Sequence, residues 1–517
     1  MTFTRHLSQD QSLLVLTWIF KSWTETKLKE MIKDINMKNI SIIKFLIVFV
    51  LGIFMVSCDK NLDLEPQQSV FTEDVLTHEG IVNTLYGAYS RIAGSGLYAG
   101  TNIFHSDLLG DDGDAWWDGT FIGYVRMEQK ALDPSEGTIT AKWLAAYRAI
   151  NSANLVLENI NLVNEGDRDW VEGEAKFIRG IMYFELVRFY ALPYEPGETN
   201  SQPGVPLILQ TYPELPAPEA NVPRSSVEAI YAQILDDLVD AKALLNPAVA
   251  GGNSGRATST VASAFLSRVY LTMGWHEEAA SEATIVIDQF GGEDALRDVP
   301  RAAFNNDTYT SEDVFMINQN INSHAGQAND GISTFFASLR GHGRGDMQIT
   351  QRHIDRYEEG DLRANIQEIP GTAGSIALVS EMFYIGVGTR SGNIMSAKWG
   401  KYDANINVIR LAEMFLTRAE ANFENGTEIG AEPVDDINVI RNRAGLDDLP
   451  AVNQDDIRNE RRLELAWEGH RLHDLRRWKE SLFDGEMPYD SPRLVLPIPQ
   501  REMDVNDQLE QNEGYLD

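Results

Sequence analysis

The sequence predicts a mainly α-helical protein, in which a scaffold of tetratricopeptide-like helical pairs carries irregular, loop-rich insertions with short strands. Apolar residues recur with helical periodicity over most of the chain. Residues 94–138 and 290–400 lack long helical periods and are rich in Gly, Asp, Asn and aromatic residues. Because binding groups tend to lie on loops that a rigid scaffold positions, we expect the ligand site in these two insertions. The predicted helices span residues 78–93, 139–160, 168–190, 225–245, 257–273, 276–289, 407–424, 433–443 and 454–480.

One predicted helical pair, at 257–289, carries the signature of a tetratricopeptide repeat. Small residues at the repeat positions let two antiparallel helices approach closely, while a large residue fills the gap between them. The repeat positions are occupied by Leu266, Ser267, Tyr270, Ala279 and Ala283, with Gly274 in the turn. Short strands are predicted at 314–318 and 383–387, and the proline-rich segment 193–223 is predicted to be a long ordered loop.

The amino-terminal region resembles a bacterial lipoprotein signal. An apolar run of about 12 residues follows Lys44, which fits a signal-peptide core and is too short to span a bilayer. The run ends in Ser57-Cys58, a small residue before a cysteine, as in a lipobox. This resemblance implies cleavage before Cys58 and acylation of its sulfur, so that lipid chains anchor the mature protein.

The same signal suggests how the chain is divided. Met37 is the expected natural start, and residues 1–57 are interpreted as a spurious upstream extension followed by the signal peptide. Residues 58–70 are polar and are interpreted as a tether, and residues 71–517 as one folded domain. Because Cys58 is the only cysteine, an intrachain disulfide and a cysteine-based metal site are excluded.

The charge balance narrows the class of ligand. Asp and Glu number 77 against 44 Lys and Arg, which gives a net charge of −33. Binding to nucleic acid needs clustered basic residues for the phosphates, so a nucleic-acid partner is not expected. The negative net charge also weakly disfavours a polyanionic glycan as the ligand and favours a neutral one.

The carboxy-terminal part carries a family resemblance. Residues 457–478, from Ile457-Arg458-Asn459-Glu460 to Leu475-Arg476-Arg477-Trp478, closely resemble the carboxy-terminal signature of the SusD/RagB family. The segments 408–413, 418–421, 222–227 and 496–515 are also similar to that family, although Glu513 stands where its members commonly have proline. With the lipobox, the resemblance covers essentially the whole mature chain.

The resemblance implies both architecture and function. Members have a helical tetratricopeptide-like scaffold with an irregular ligand-binding face. They are lipid-anchored proteins exposed at the cell surface, on the outer membrane, above a SusC-like TonB-dependent transporter. They bind oligosaccharides or polysaccharides, deliver them to that transporter, and are not enzymes. These properties are therefore the expectation for this chain.

The charges of the carboxy-terminal helix are predicted to be structural. Their spacing of three or four residues matches that of ion pairs within one helix, so a catalytic cluster is not the preferred interpretation. The residues concerned are Glu460, Arg461, Arg462, Glu464, Glu468, Arg471 and Asp474.

The segment 110–119 contains the leading candidates for ligand contact. A glycan site needs exposed aromatic platforms beside planar hydrogen-bonding side chains. Trp116 and Trp117 are flanked there by Asp114 and Asp118. Neighbouring side chains on an extended segment point in opposite directions, so one tryptophan is expected to pack inward and the other to face solvent. Members of the resembled family commonly place a stacking aromatic residue in this early loop.

Further candidates lie on either side of that segment. Tyr98 and Asn102, with His105, lie upstream and are predicted to line the same face. The middle region adds candidates from a glycine-rich stretch, namely Phe336, Arg340 and His342, with His324, Asn329 and Phe335 as neighbours. Trp399 precedes a family-like helix and is predicted to be structural.

Three alternatives remain open from the residues alone. The acidic segment 111–118 offers oxygen ligands for calcium, although its spacing does not match an EF-hand; no other cofactor is expected. A glycoside hydrolase would need two carboxylates across a cleft, and no recognisable hydrolase motif surrounds any candidate pair. A protein-interaction scaffold is the third alternative, and it is favoured if the rings near Trp116 are buried.

Overall fold

The computed structural model describes residues 76–212, 221–248, 250–252, 254–325 and 331–515. Thr72–Asp517 forms one compact unit. The predicted start at Met37, the lipidation site at Cys58, the 58–70 tether and Asn329 lie outside the described residues.

Fifteen α-helices occur in the described part of the chain, and most of the long ones begin where the periodicity predicts. They are α1 His78–Ile92, α2 Thr101–Leu109, α3 Ile122–Glu128, α4 Gly137–Glu158, α5 Arg168–Tyr190, α6 Val227–Leu244, α7 Ser259–Met273, α8 His276–Phe290, α9 Ile332–Phe336, α10 Gln351–Ile354, α11 Leu411–Asn425, α12 Pro433–Arg443, α13 Gln454–Glu464, α14 Arg471–Arg477 and α15 Gln500–Val505. The prediction of a mainly α-helical scaffold is confirmed.

The long helices pack in a continuous series of neighbours. Helix α1 packs on α4, α4 on α5, α5 on α6, α6 on α7, α7 on α8, and α8 on α11, which also contacts α12 and α13. The α7–α8 hairpin has the predicted repeat geometry. Thr258 caps the start of α7 with its side chain, and Gly274 ends it at φ +71°. Ala279 and Ala283 are completely buried where the helices meet.

Among the described residues, seven short strands form two small sheets. The strands are β1 Ala115–Trp117, β2 Asp313–Ile317, β3 Met347–Ile349, β4 Ile366–Glu368, β5 Phe383–Ile385, β6 Ile394–Ser396 and β7 Ile406–Arg410. One sheet has the order β1-β3-β6-β5-β4, and the other pairs β2 with β7. The five-stranded sheet therefore joins the insertion 94–138 to the insertion 290–400, with β1 at its edge.

Two helix predictions need correction. Residues 407–424 were predicted as one helix, but 406–410 form β7, because they pair antiparallel with β2, and the helix begins only at Leu411. Residues 454–480 were also predicted as one helix, but α13 ends at Glu464 and α14 starts at Arg471. Trp467 and Gly469 between them have φ of +65° and +83°, which a right-handed helix does not accommodate. In addition, the insertion 94–138 contains helices α2 and α3.

The charged carboxy-terminal residues are paired structurally, but mostly not within one helix as predicted. Asp474 does pair with Arg477 in α14, whereas Glu460, Glu464 and Glu468 have partners in distant parts of the chain. Arg363 Nη1 lies 2.6 Å from Glu460, and Lys398 Nζ lies 2.7 Å from Glu468. These ion pairs therefore attach the carboxy-terminal segment to the strand-rich insertion 290–400.

In the part of the chain described here, no helix combines the length and the apolar character that crossing a bilayer requires.

Candidate functional site

The two adjacent tryptophans of β1 lie on opposite sides of the strand. The residue exposure of Trp116 is 54%, whereas that of Trp117 is 3%. Side chains alternate along a strand, so an edge strand with one face on the core must present one of the two rings to solvent. Trp116 is therefore the exposed aromatic platform of this segment, and Trp117 is the anchor that holds the strand in place.

Trp117 is anchored in an aromatic cluster beneath the strand. Its ring centroid lies 4.6 Å from that of Tyr124 and 4.8 Å from that of Phe335, in tilted and edge-to-face arrangements. Phe104 joins the same cluster at 6.4 Å. Each such pair contributes about 0.5–1.5 kcal/mol beyond the burial of its area. The cluster therefore makes the position of Trp116 rigid, since the two residues share one short strand.

The loop before β1 is ordered by Asp111. Its carboxylate accepts hydrogen bonds from the backbone N–H groups of Gly113 at 2.8 Å, Asp114 at 3.0 Å and Ala115 at 3.0 Å. Gly113 has φ +96°, which favours glycine at this turn. Burial raises the pKa of the Asp111 carboxyl. This carboxylate is occupied by its own loop and is not presented to a ligand.

The Asp114 carboxylate is also engaged, because it forms ion pairs with arginine side chains of the middle and carboxy-terminal regions. Arg356 Nε lies 2.8 Å from its Oδ1, and Arg462 Nη2 lies 2.7 Å from its Oδ2. Burial by itself raises the pKa of this carboxyl, but a hydrogen bond with His353 and the charge of Arg462 hold the pKa well below its usual range. Asp114 thus clamps the loop to the body of the protein.

Polar side chains surround Trp116 on its exposed face. Trp116 is paired directly with Gln348 of β3, so both side chains point to the same side of the sheet. Gln348 Nε2 donates to Asp118 Oδ2 at 2.9 Å, and Arg390 Nε lies 3.0 Å from the same oxygen. The backbone N–H of Asp118 donates to the carbonyl of Asp346 at 2.8 Å, which continues the pairing beyond β1.

Arg344 completes this face. It lies 2.9 Å from Asp346 and 5.1 Å from the ring centroid of Phe121, and it donates to Thr120 Oγ1 at 3.2 Å. Burial raises the pKa of the Asp346 carboxyl, and the charges of Arg344 and Arg390 oppose that rise. We call the set Trp116, Asp118, Arg344 and Arg390 the Trp116 surface, while the buried Gln348 holds Asp118 in place. The surface combines one exposed ring with carboxylate and guanidinium groups.

Several residues predicted to contact ligand lie in the interior instead. Tyr98 donates from its hydroxyl to Glu185 at 3.1 Å, and the side-chain oxygen of Asn102 accepts from Lys142. A side chain without exposed surface supports the fold and does not reach a glycan at the surface. The predicted ligand residues that are buried in this way are Tyr98, Asn102, Asp114, Trp117 and Phe336, and the neighbouring candidates His105 and Phe335 are buried as well.

The remaining candidates lie in the insertion 290–400. Arg340 is exposed in a turn between Leu339 and His342, and its backbone N–H donates to the carbonyl of Ala373 at 2.8 Å. His342 is half-buried, with its ring 5.4 Å from that of Tyr402. Trp399 is buried, and its Nε1 donates to the carbonyl of Trp467 at 2.7 Å. Asp118, Arg340 and His342 therefore stay as predicted ligand contacts.

Sequence reasoning missed Arg344, Gln348 and Arg390. They are more than 200 residues from Trp116 in the chain, and only the β1–β3 pairing brings them to it. A polar residue of β3 directly opposite an exposed tryptophan would point to them. This pairing can be recognised only when the register of the two strands is known.

Metal binding has little geometric support at this face. Within the described ranges, no group of three or more His, Asp or Glu side chains is arranged to hold a metal ion. In the acidic segment that was considered for calcium, Asp111 is taken up by backbone donors, while Asp114 and Asp118 are paired with guanidinium groups.

Comparison with known proteins gives a consistent family relationship. One family model, a SusD-like model described as "Starch-binding associating with outer membrane", matches residues 60–271. A second, described as "SusD family", matches residues 243–493. The chain is 26% identical to SusD-like protein P2 of Formosa agariphila, over 91% of this chain and 100% of that protein.

Solved structures share the fold over nearly their whole length. A putative sugar-binding protein from Bacteroides vulgatus superposes with a TM-score of 0.71 at 25% identity, covering 85% of this chain and 99% of that one. A laminarin-binding SusD-like protein superposes with a TM-score of 0.67 at 23% identity, covering 85% of this chain and 100% of that one.

Proposed function

This chain belongs to the SusD family, and we propose that it captures an oligosaccharide or polysaccharide at the cell surface. The captured glycan is then delivered to a SusC-like TonB-dependent transporter in the outer membrane. Acylation at Cys58 holds the protein on that membrane. Binding is the whole of its activity, without turnover of the glycan.

The observation that carries the proposal is the exposed ring of Trp116 among hydrogen-bonding groups. A sugar ring has an apolar face edged with hydroxyls, so it is recognised by an aromatic platform beside planar polar side chains. Trp116 supplies the platform, and Asp118, which the buried Gln348 holds on the same side of the sheet, supplies a carboxylate. A buried ring would have favoured the interaction-scaffold alternative. Because the ring of Trp116 is exposed, it does not support that alternative.

The names of similar proteins agree with this chemistry. One matching family model is described as starch-binding, and a similar solved structure is named as a putative sugar-binding protein. Contacts of this kind are individually weak, so we expect dissociation constants from micromolar to millimolar, or about −4 to −8 kcal/mol.

The carboxylates at the Trp116 surface favour binding over hydrolysis. A glycosidase needs one carboxyl free to donate a proton and a second free to attack or to activate water. Asp118 and Asp346 are both in contact with Arg390, at 3.0 Å and 3.5 Å. Both carboxylates are therefore engaged by a guanidinium, and Asp346 is also buried, so neither is free for the two roles that hydrolysis needs.

Affinity gel electrophoresis of the full chain in mild detergent tests this proposal. The gels contain neutral polysaccharides, including starch and laminarin, and charged ones. We expect retardation by one class of glycan, its loss in Trp116→Ala, and no release of reducing sugar. Trp275→Ala is the matched control, because Trp275 is also a half-exposed tryptophan but lies at the start of α8.

Two results would contradict the proposal. Release of reducing sugar by the wild-type chain would show an enzyme. Equal retardation of the wild type and Trp116→Ala would move the binding site away from the Trp116 surface, whatever the glycan.

A further inference from the structure

Phe483 adopts a conformation that costs energy and leaves its ring in solvent. It lies in a short turn in which Phe483, Asp484 and Gly485 have φ of 54°, 54° and 97°. A left-handed backbone is unfavourable for a residue with a Cβ. Burial of the side chain does not offset this unfavourable conformation, since Phe483 remains 40% exposed. Backbone strain of this kind persists where the surroundings impose it and concentrates at functional sites.

The contacts that hold Phe483 in this conformation come from the loop that leads into β1. The backbone N–H of Phe483 donates to Asp112 Oδ1 at 2.9 Å. Beneath the ring, the buried ammonium of Lys130 lies 5.7 Å from its centroid and donates to the carbonyl of Asp111 at 3.2 Å. The carboxy-terminal turn is therefore fixed to the same loop that positions Trp116.

Arg352 contacts the same loop as Phe483, next to β1. Its Nη2 is 3.1 Å from Asp112 Oδ2, its Nε is 4.0 Å from Asp114 Oδ1, and its side chain is 54% exposed. A Cβ on Gly113 would lie only 3.1 Å from Arg352 Nη1, so the guanidinium lies directly over this glycine. Asp112 and Trp116 are four residues apart in the chain, so their Cα atoms are separated by at most about 14 Å.

We propose that Phe483 is a second aromatic platform of the glycan site, with Arg352 as a hydrogen-bonding group between it and Trp116. The binding face is then elongated, and its ligand is a glycan chain of several sugar units. This inference rests on the proposed function and adds the length of the ligand that is recognised. Trp116 binds one part of the chain, while Phe483 and Arg352 bind a part further along.

A purely structural role for Phe483 makes a different prediction. If its ring served only to cover Lys130, its removal would lower the thermal stability of the protein and leave the affinity for glycans of every length unchanged.

Isothermal titration calorimetry of the full chain separates the two roles. The probes are the maltose series, from disaccharide to heptasaccharide, and the matching laminari-oligosaccharide series. For the series that binds, we expect the affinity of the wild type to rise with length. Phe483→Ala is expected to bind the shortest ligand as the wild type does and the longest about five- to tenfold more weakly. Phe483→Tyr keeps the ring and is expected to retain the affinity for long ligands.

Arg352→Ala is a second variant that does not depend on the strained turn. Its ion pair is exposed, so its loss changes stability little, and we expect weaker binding of long ligands only. Trp116→Ala is expected to weaken binding at every length.

The failures of the two proposals are distinguishable. If Trp116→Ala loses affinity while Phe483→Ala and Arg352→Ala match the wild type at all lengths, the second platform is wrong and the proposed function stands. If Trp116→Ala also matches the wild type, the site itself is wrong. Absence of binding to both series by the wild type would contradict an elongated glucan site.

Discussion

Arg410 Nη2 lies 3.1 Å from Glu464 Oε1, and both side chains are almost completely buried. The pair joins the end of β7 to the end of α13. Glu312 and Arg443 extend it, with Arg410 Nη1 2.6 Å from Glu312 and Arg443 Nη2 2.5 Å from Glu464. Buried ions are stable only when every charge has a partner, so this network fixes how the carboxy-terminal segment docks on the scaffold.

Removal of the charge of Glu464 should destabilise the fold strongly. Glu464→Gln would leave Arg410 and Arg443 buried with one anion fewer, and we expect a loss of about 3–5 kcal/mol in the free energy of unfolding. Urea denaturation followed by circular dichroism measures it. The control is Asp307→Asn, which breaks an exposed pair with Lys401 and should change stability by about 0–1 kcal/mol. Similar losses for the two variants would contradict the importance of the buried network.

Gly110 allows α2 and α14 to come into backbone contact. A Cβ at this position would lie 2.5 Å from the backbone nitrogen of Leu472, an atom that cannot move aside as a side chain does. We expect Gly110→Ala to destabilise the protein by about 1–3 kcal/mol, measured as a lower thermal midpoint. Gly87→Ala is the matched control in α1, where the added methyl meets no atom within 4 Å.

The control should change stability in the opposite direction. Alanine replaces glycine within a helix there, so Gly87→Ala should stabilise by about 0.5–1 kcal/mol. A stable Gly110→Ala variant would show that the two backbones are not in close contact.

Glu420 should make the protein sensitive to acid. Burial by itself raises the pKa of its carboxyl, but the charge and hydrogen bonds of Arg477, at 2.8 Å, with the charge of Arg461, lower the pKa to about 2. In the unfolded chain the pKa is about 4.3. A carboxyl with a lowered pKa stabilises the fold above the unfolded value, and this contribution is lost as the pH falls from about 4.3 to about 2.

Thermal unfolding between neutral pH and pH 2 checks this window. We expect the midpoint of Glu420→Gln to lie below that of the wild type at neutral pH, and the difference to shrink as the pH approaches 2. A difference that stays constant with pH would show that the ionisation of Glu420 does not contribute.

Asp107 should have the opposite pH dependence. Burial raises the pKa of its carboxyl to about 8, although backbone hydrogen bonds from Gly469 and Arg471 oppose the rise. A carboxyl with a raised pKa costs stability as the pH rises from about 4 to about 8, because it ionises in the unfolded chain while the buried group stays protonated. Asp107→Asn removes this ionisation without changing the shape of the side chain.

We therefore expect Asp107→Asn to unfold at a higher temperature than the wild type above about pH 8 and at a similar temperature near pH 4. The measurement is the thermal midpoint across that range. A variant less stable than the wild type at every pH would show that the Asp107 carboxylate is needed in its charged form.

The helical scaffold could be predicted from local patterns. Apolar periodicity and capping residues place α1, α5 and α7 within a few residues, because a helix satisfies its backbone within one segment. Gly274 and the small residues Ala279 and Ala283 likewise indicate the α7–α8 hairpin, since their effect is local.

Other features depend on partners that are distant in the chain. Residues 406–410 become a strand because β2 pairs with them, and most charges of 460–474 have partners on other elements, such as Arg363 for Glu460 and Arg410 for Glu464. Local spacing contains no information on either partner.

Local patterns in the sequence are enough to predict the helical scaffold, the family and the exposure of one of Trp116 and Trp117. Contacts between distant segments establish that Trp116 is the exposed ring, that Gln348 and Arg390 lie beside it, and that Phe483 is fixed to the same loop. The difference lies in the range of the interactions. Helical periodicity is set by neighbours along the chain, whereas a binding face is assembled by strand pairing and ion pairs between segments hundreds of residues apart.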